Sequence, residues 1–120
     1  MTETFPSEHD EQVGFVNWFR QRFPSVLIYA IPNGGHRQIS VAKALKDEGV
    51  QPGIPDLHVP QWGLWIEMKR VKNGKLSDDQ MRIIGYLEGI GQTVIVGRGA
   101  REASEKVLRF VTPGVNPVSA

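Results

Sequence analysis

Between Ile54 and Lys69, apolar and polar residues alternate in two runs, Ile-Pro-Asp-Leu-His-Val and Leu-Trp-Ile-Glu-Met-Lys, separated by Pro-Gln-Trp-Gly. A period of two is that of a half-buried strand, and Pro60 and Gly63 are turn residues, so the stretch predicts a β-hairpin. Pairing Val59 with Leu64 across the connection sets Asp56 opposite Glu67. Leu57, Val59, Leu64, Ile66 and Met68 then share a core face, and Asp56, His58, Trp65, Glu67 and Lys69 share the other.

Before the hairpin, Ser7 is a good N-cap, and Val13, Phe15, Val16, Trp18, Phe19 and Phe23 follow at largely helical spacing, which predicts a helix over residues 8–23 ended by Pro24. Val26 to Ile31 is an almost continuous apolar run and predicts a buried strand. The loop from Pro32 to Arg37 contains Gly34 and Gly35, which permit close approach of a ligand, while His36 and Arg37 supply donors. Ser40 is expected to cap a helix over residues 41–48, with Gly49 as its stop. Gln51-Pro52-Gly53-Ile54 fits a type II turn.

Beyond the hairpin, Asn73-Gly74 reads as a turn, and Ser77-Asp78-Asp79-Gln80 has the spacing of a capping box opening a helix that runs to about Gly89. Gln92 to Gly97 reads as a β-branched strand, and Ala100 to Phe110 as a final helix. The predicted order α-β-α-β-β-α-β-α is an α/β fold with a mixed central sheet of about four strands flanked by helices. A single domain is expected over residues 7–110, with 111–120, carrying Pro113, Gly114 and Pro117, as a flexible tail.

Composition narrows the chemistry. A chain of 120 residues is sized for one small domain, and the absence of cysteine excludes disulfides, thiolate zinc sites and cysteine nucleophiles. Any metal must be held by oxygen or histidine. The first residues do not form a leader and no long apolar run exists, so the expectation is a soluble, cytoplasmic protein without a membrane contact. The net charge of +1 neither requires nor excludes nucleic acid. Its distribution says more: Glu3, Glu8, Asp10 and Glu11 crowd the N-terminal stretch, while Lys69, Arg70, Lys72 and Lys75 cluster after the hairpin. Gly97-Arg98-Gly99 lacks the third glycine of a dinucleotide-binding loop. No phosphate-binding Gly-Lys-Ser/Thr loop, nucleophile elbow or helical histidine pair is present, which leaves ATP hydrolysis, serine hydrolysis and zinc peptidase chemistry without carriers.

Opposed carboxylates across a strand pair are destabilising. At about 4 Å they repel by roughly 1 kcal/mol in water and roughly 4 kcal/mol at an effective dielectric of 20, so a divalent cation is the better remedy. Asp56 and Glu67 form a hard-oxygen pair of the kind Mg²⁺ accepts, and Lys69 lies on the same face within reach of a water or phosphate. The alternative, which the alternation by itself favours, is a solvated charged face. Glu8 and Gln12 share a helix face four residues apart, yet Glu8 also has a sufficient role in complementing the helix dipole. Gln80 is explained by the capping box and equally by a site at the helix entrance.

Pro55-Asp56, ten residues, then Glu67-Met68-Lys69 resembles the signature of the PD-(D/E)xK nuclease superfamily. Ser7-Glu8 with Gln12, Ile31-Pro32-Asn33-Gly34-Gly35 with Arg37, Lys46-Asp47-Glu48-Gly49-Val50, Gly53-Ile54-Pro55-Asp56, Leu76-Ser77 with Gln80, and Gly91 together resemble the virus-type replication-repair nuclease (VRR-NUC) family in order and spacing. The likeness runs from about Ser7 to Leu108. It implies a restriction-endonuclease-like core in which Asp56 and Glu67 bind metal with Glu8, Lys69 is the catalytic lysine and Gln80 is a glutamine at the site, with Glu11 as the second-rank alternative to Glu8. It further implies hydrolysis of DNA phosphodiesters with one or two Mg²⁺ or Mn²⁺ ions. Small stand-alone members resemble phage-type enzymes that resolve Holliday junctions as homodimers, which points to a bacterial or phage-encoded protein acting on branched DNA. Asn33, Arg37, Arg70, Lys72 and Lys75 are the candidate nucleic-acid contacts. A module that binds branched or single-stranded DNA without cutting it, and a nuclease acting on RNA, are the competing readings.

Overall fold

A computed structural model describes residues 4–32 and 39–112. The first helix, α1 (Glu8–Arg22), starts at Ser7, whose hydroxyl accepts the Asp10 N–H at 3.0 Å. Asp10 and Glu11 in its first turn and Arg20 and Arg22 in its last complement the helix dipole. Phe15 and Phe19, four residues apart, are its fully buried face. They open an aromatic cluster in which Phe19 and Phe23 each meet Trp62, with ring centroids 5.6 and 5.0 Å apart, and Trp62 meets Phe110 at 6.2 Å. Trp62 sits in the one-turn connection of the hairpin, so the N-terminal helix, the hairpin tip and the last helix close on one another.

The sheet has four strands in the order β1 (Tyr29–Ala30), β2 (Leu57–Val59), β3 (Leu64–Lys69) and β4 (Thr93–Arg98). The first two pairings are antiparallel and β3 with β4 is parallel. Val59 pairs with Leu64, the expected hairpin register. Leu57, Val59, Leu64, Ile66 and Met68 are all fully buried, and they pack with Phe15, Phe19, Ile95, Ala103 and Val107. The connection is a 3-10 turn, Pro60–Trp62, closed by Gly63 in the left-handed region at φ 58°. The parallel pair is joined through α3 (Asp78–Gly89), and α4 (Ala100–Val111) packs on β4. That contact is close because a methyl group at Gly97 would lie 2.5 Å from the Ala103 Cβ. The element order and the mixed four-stranded sheet flanked by helices are those expected.

Two elements differ from expectation. The run from Val26 to Ile31 is not a buried strand: only Tyr29 and Ala30 pair, and both are exposed. Among the described residues they form the sheet's edge, and the apolar character of the run is used instead by Ile28, buried in the core, and Val26, packed against it. The helix expected from a Ser40 cap, α2 (Ile39–Asp47), already contains Ser40, so that serine is not its N-cap. Gly49 follows its end at φ 106°. The glycine loop with Asn33, His36 and Arg37, and most of the expected tail, lie outside the described residues.

Candidate active site

The acid pair forms where the hairpin ends. Asp56 precedes β2 by one residue and is fixed from both sides: its carbonyl accepts the Ile31 N–H at 2.8 Å, and its Oδ2 accepts the Met68 N–H at 2.8 Å. The carboxylate thus takes the place of a ladder hydrogen bond and is held against β3 beside Glu67. Glu67 is 1% exposed. Its Oε1 accepts the Gln80 amide N–H at 2.6 Å, while its Oε2 is buried without a donor among the described residues.

Gln80 serves both of the roles considered for it. Ser77 and Gln80 form the reciprocal capping box at the start of α3, with the Gln80 carbonyl accepting the Ser77 N–H at 2.9 Å and Ser77 Oγ accepting the Gln80 N–H at 3.1 Å. With its carbonyl engaged in the cap, its NH₂ is directed at Glu67. The helix start and the acid pair are therefore locked to each other through one side chain.

Burial, then the charge of Asp56 and a hydrogen bond to it, push the Glu67 carboxyl up to about 9, with Glu8 adding to the rise and Lys69 opposing it. Glu67 therefore holds its proton more tightly than an ordinary carboxyl group. A buried ionised carboxylate lacking a partner carries a penalty on the order of several kcal/mol, which a proton or a cation relieves. The pair therefore fits a divalent cation: two hard oxygen donors, a repulsion to be neutralised, and the undonated Oε2. Among the described residues three acidic or histidine side chains do not gather into one metal-holding group.

Lys69, two residues beyond Glu67 on the same face, is 8% exposed and acts electrostatically on both Glu67 and Glu8. Glu8 stands in the first turn of α1, where burial raises its pKa, Lys69 lowers it, Asp56 raises it and Arg70 lowers it, for a net rise. It therefore sits within the field of the site. Glu11, the alternative to Glu8, is engaged with the start of α4. Its Oε1 accepts the Ala100 N–H at 3.0 Å, and its Oε2 would lie 3.2 Å from a methyl group on Gly99. It caps α4 and ties α1 to it. The sequence signal for this use was faint, because the partner stands 89 residues away.

Arg70, Lys72 and Lys75 are exposed on the loop leaving β3. Asn73 adopts φ 66°, and a methyl group on Gly74 would come within 2.8 Å of the Arg70 carbonyl, so the loop folds tightly back over the strand end. Of its cations, Arg70 acts electrostatically on Glu8. Asn33 and Arg37 lie outside the described residues, so the structure brings together Glu8, Asp56, Glu67, Lys69, Arg70 and Gln80 from the expected set. Tyr29 pairs with His58 from the sheet edge, a placement the sequence did not reveal because the apolar run around it read as a buried strand.

A mixed sheet presenting opposed carboxylates and a buried lysine at the end of a hairpin defines the class of the fold. No family model matches the chain, and no curated protein matches it. A solved structure described as a "VRR_NUC domain protein" is similar over 90% of both chains, with a TM-score of 0.73 and 21% sequence identity. The chain has the VRR-NUC fold, as the sequence resemblance implied.

Proposed function

We propose that the chain is a metal-dependent DNA endonuclease that hydrolyses phosphodiester bonds, with branched DNA such as Holliday junctions as its preferred substrate in replication, recombination or repair. The observation that carries this reading is the half-buried Asp56 paired with the buried Glu67, whose Oε2 has no donor among the described residues, set beside a buried lysine on a VRR-NUC fold. Asp56 and Glu67, with Glu8 nearby, are the residues that would hold Mg²⁺ or Mn²⁺. Such an ion, when bound, supplies Lewis-acid neutralisation of the phosphate and lowers the pKa of water.

Each protein group has its own part. Asp56 is oriented by the Met68 N–H, and Glu67 by Gln80, so neither carboxylate has to be ordered when substrate arrives. Lys69 orients the attacking water and stabilises charge developing on the phosphate. Arg70, Lys72 and Lys75, with Asn33 and Arg37, hold the flanking backbone, which makes binding steeply salt-dependent. The protein works as a homodimer, since two cuts in a branched duplex call for two sites related by a two-fold axis. Its place is the cytoplasm.

One observation favours a second reading: among the described residues no three acidic or histidine side chains gather closely enough to hold a metal together. A non-cleaving module for branched or single-stranded DNA could use a cation there as a neutraliser alone. Incubation of labelled four-way junction, flap, single-stranded and duplex DNA with Mg²⁺, Mn²⁺ or EDTA separates the two, with Lys69→Ala in parallel. Metal-dependent cuts that vanish in Lys69→Ala are expected. Binding of junctions without cleavage under either metal would favour the module, and an active Lys69→Ala would remove the lysine from its role.

A further inference from the structure

On the sheet face that carries the acid pair, the adjoining row of side chains is aromatic. Two residues from Asp56 and Glu67, about 6.7 Å at strand rise, His58 stands beside Trp65, and β1 adds Tyr29 opposite His58. The row is held by its own contacts. His58 and Trp65 stack with centroids 3.8 Å apart and planes at 16°. Tyr29 meets His58 edge-on at 5.3 Å, and Tyr29 Oη and His58 Nδ1 share a hydrogen bond of 2.7 Å. The Trp65 indole N–H donates to the side-chain carbonyl of Gln92.

None of these three rings belongs to the hydrophobic core, which lies on the opposite face of the sheet. The row ends at the edge strand, where Tyr29 is 40% exposed. A ring that is pinned and yet open to solvent has already lost its rotamer freedom, so little further ordering opposes a contact made there. Bases stack on such rings, and an aromatic platform continuous with a phosphate-holding groove is the arrangement used to bind unpaired strands.

We propose that this row is a nucleobase subsite, in which Tyr29, braced by His58 and Trp65, stacks on an unpaired nucleotide beside the phosphate held at the acid pair. The inference rests on the nuclease reading and adds to it the strand that is taken. A base within a duplex has both faces covered by its neighbours, so the ring receives a nucleotide from a flap, a junction arm or a single strand. Strand spacing places that nucleotide directly next to the scissile position.

The test uses flap DNA carrying 2-aminopurine at successive positions of its unpaired arm, with Mg²⁺ and with EDTA, and a fully paired duplex as control. The wild-type protein and Tyr29→Phe are expected to quench the probe at one or two adjacent positions. Tyr29→Ala is expected to lose the quench and to bind the flap about tenfold more weakly, with duplex binding and melting temperature unchanged. Tyr29→Phe separates the ring from the hydroxyl and guards against a folding defect. If Tyr29→Ala binds the flap as tightly as wild type with the quench intact, or loses flap and duplex binding equally, the subsite is overturned while cleavage by wild type leaves the nuclease reading standing. If wild type neither binds nor cuts any of these DNAs, the nuclease reading falls and the subsite with it.

Discussion

Both faces of the β2–β3 hairpin hold buried side chains, for opposite reasons. On one face Leu57, Val59, Leu64, Ile66 and Met68 are fully enclosed by apolar neighbours, and burying each such side chain contributes about 1.5–3 kcal/mol. On the other, the ionisable side chains of Glu67 and Lys69 are enclosed, and Glu67 keeps an oxygen with no donor among the described residues. Burial stabilises the first face and strains the second. The difference teaches why they occur on the same strand: a core that fixes β3 rigidly can keep Asp56 and Glu67 together although the pair repels. Side chains on a mobile loop would move apart and lose the site.

The largest effect expected is on the apolar face. Ile66→Ala should lower unfolding stability by about 2–5 kcal/mol in urea titration. A loss below about 1 kcal/mol would mean that the core face does not hold the hairpin. On the charged face, Lys69→Ala should retain its fold by circular dichroism and lose roughly 10²–10³ in cleavage rate, equivalent to about 2.7–4 kcal/mol. An unfolded Lys69→Ala would move that lysine from chemistry to structure.

Glu67→Gln should do what no core truncation does and stabilise the metal-free protein, by on the order of 1–3 kcal/mol at pH 8, since its amide can donate to Asp56 and still accept from Gln80. The pH dependence follows from the raised pKa. Unfolded Glu67 ionises near its ordinary value of 4.5 and the folded group at about 9, so the unfolded state binds fewer protons between those values. The stability contribution is full below the lower value and is lost as pH rises toward the higher. Melting curves across this window should slope downward for wild type and flatten in Glu67→Gln. Smaller still, Glu11→Gln should weaken the cap of α4 by about 0.5–2 kcal/mol and leave cleavage intact, whereas Glu8→Gln should reduce cleavage with little change in melting. The reverse pattern would exchange the roles of the two glutamates.

Much of this was legible because the hairpin uses the simplest code in the chain. Alternation of apolar and polar residues specified both faces, and a four-residue connection specified the register that sets Asp56 beside Glu67. The capping box was equally local, so α3 and the position of Gln80 could be read directly. For edge strand β1 the apolar run from Val26 to Ile31 told of a strand but not of its two-residue length or its exposure, which are set by pairing with β2. Glu8 and Glu11 show the same limit at the site. Both lie in the first turn of α1, and only the distant start of α4 assigns Glu11 to a cap. That Gln80 could complete a cap and hold Glu67 at once was hidden because the two uses fall on different atoms of one amide.

The most direct measurement is a melting curve at pH 7 with and without millimolar Mn²⁺ or Mg²⁺, with proton release followed by calorimetry, for wild type and Glu67→Gln. A cation that displaces the Glu67 proton should raise the wild-type melting temperature by several degrees, release close to one proton on binding, and do neither in Glu67→Gln. An unchanged wild-type melting temperature, or an equal shift in both proteins, would show that the buried acid pair is not a cation site.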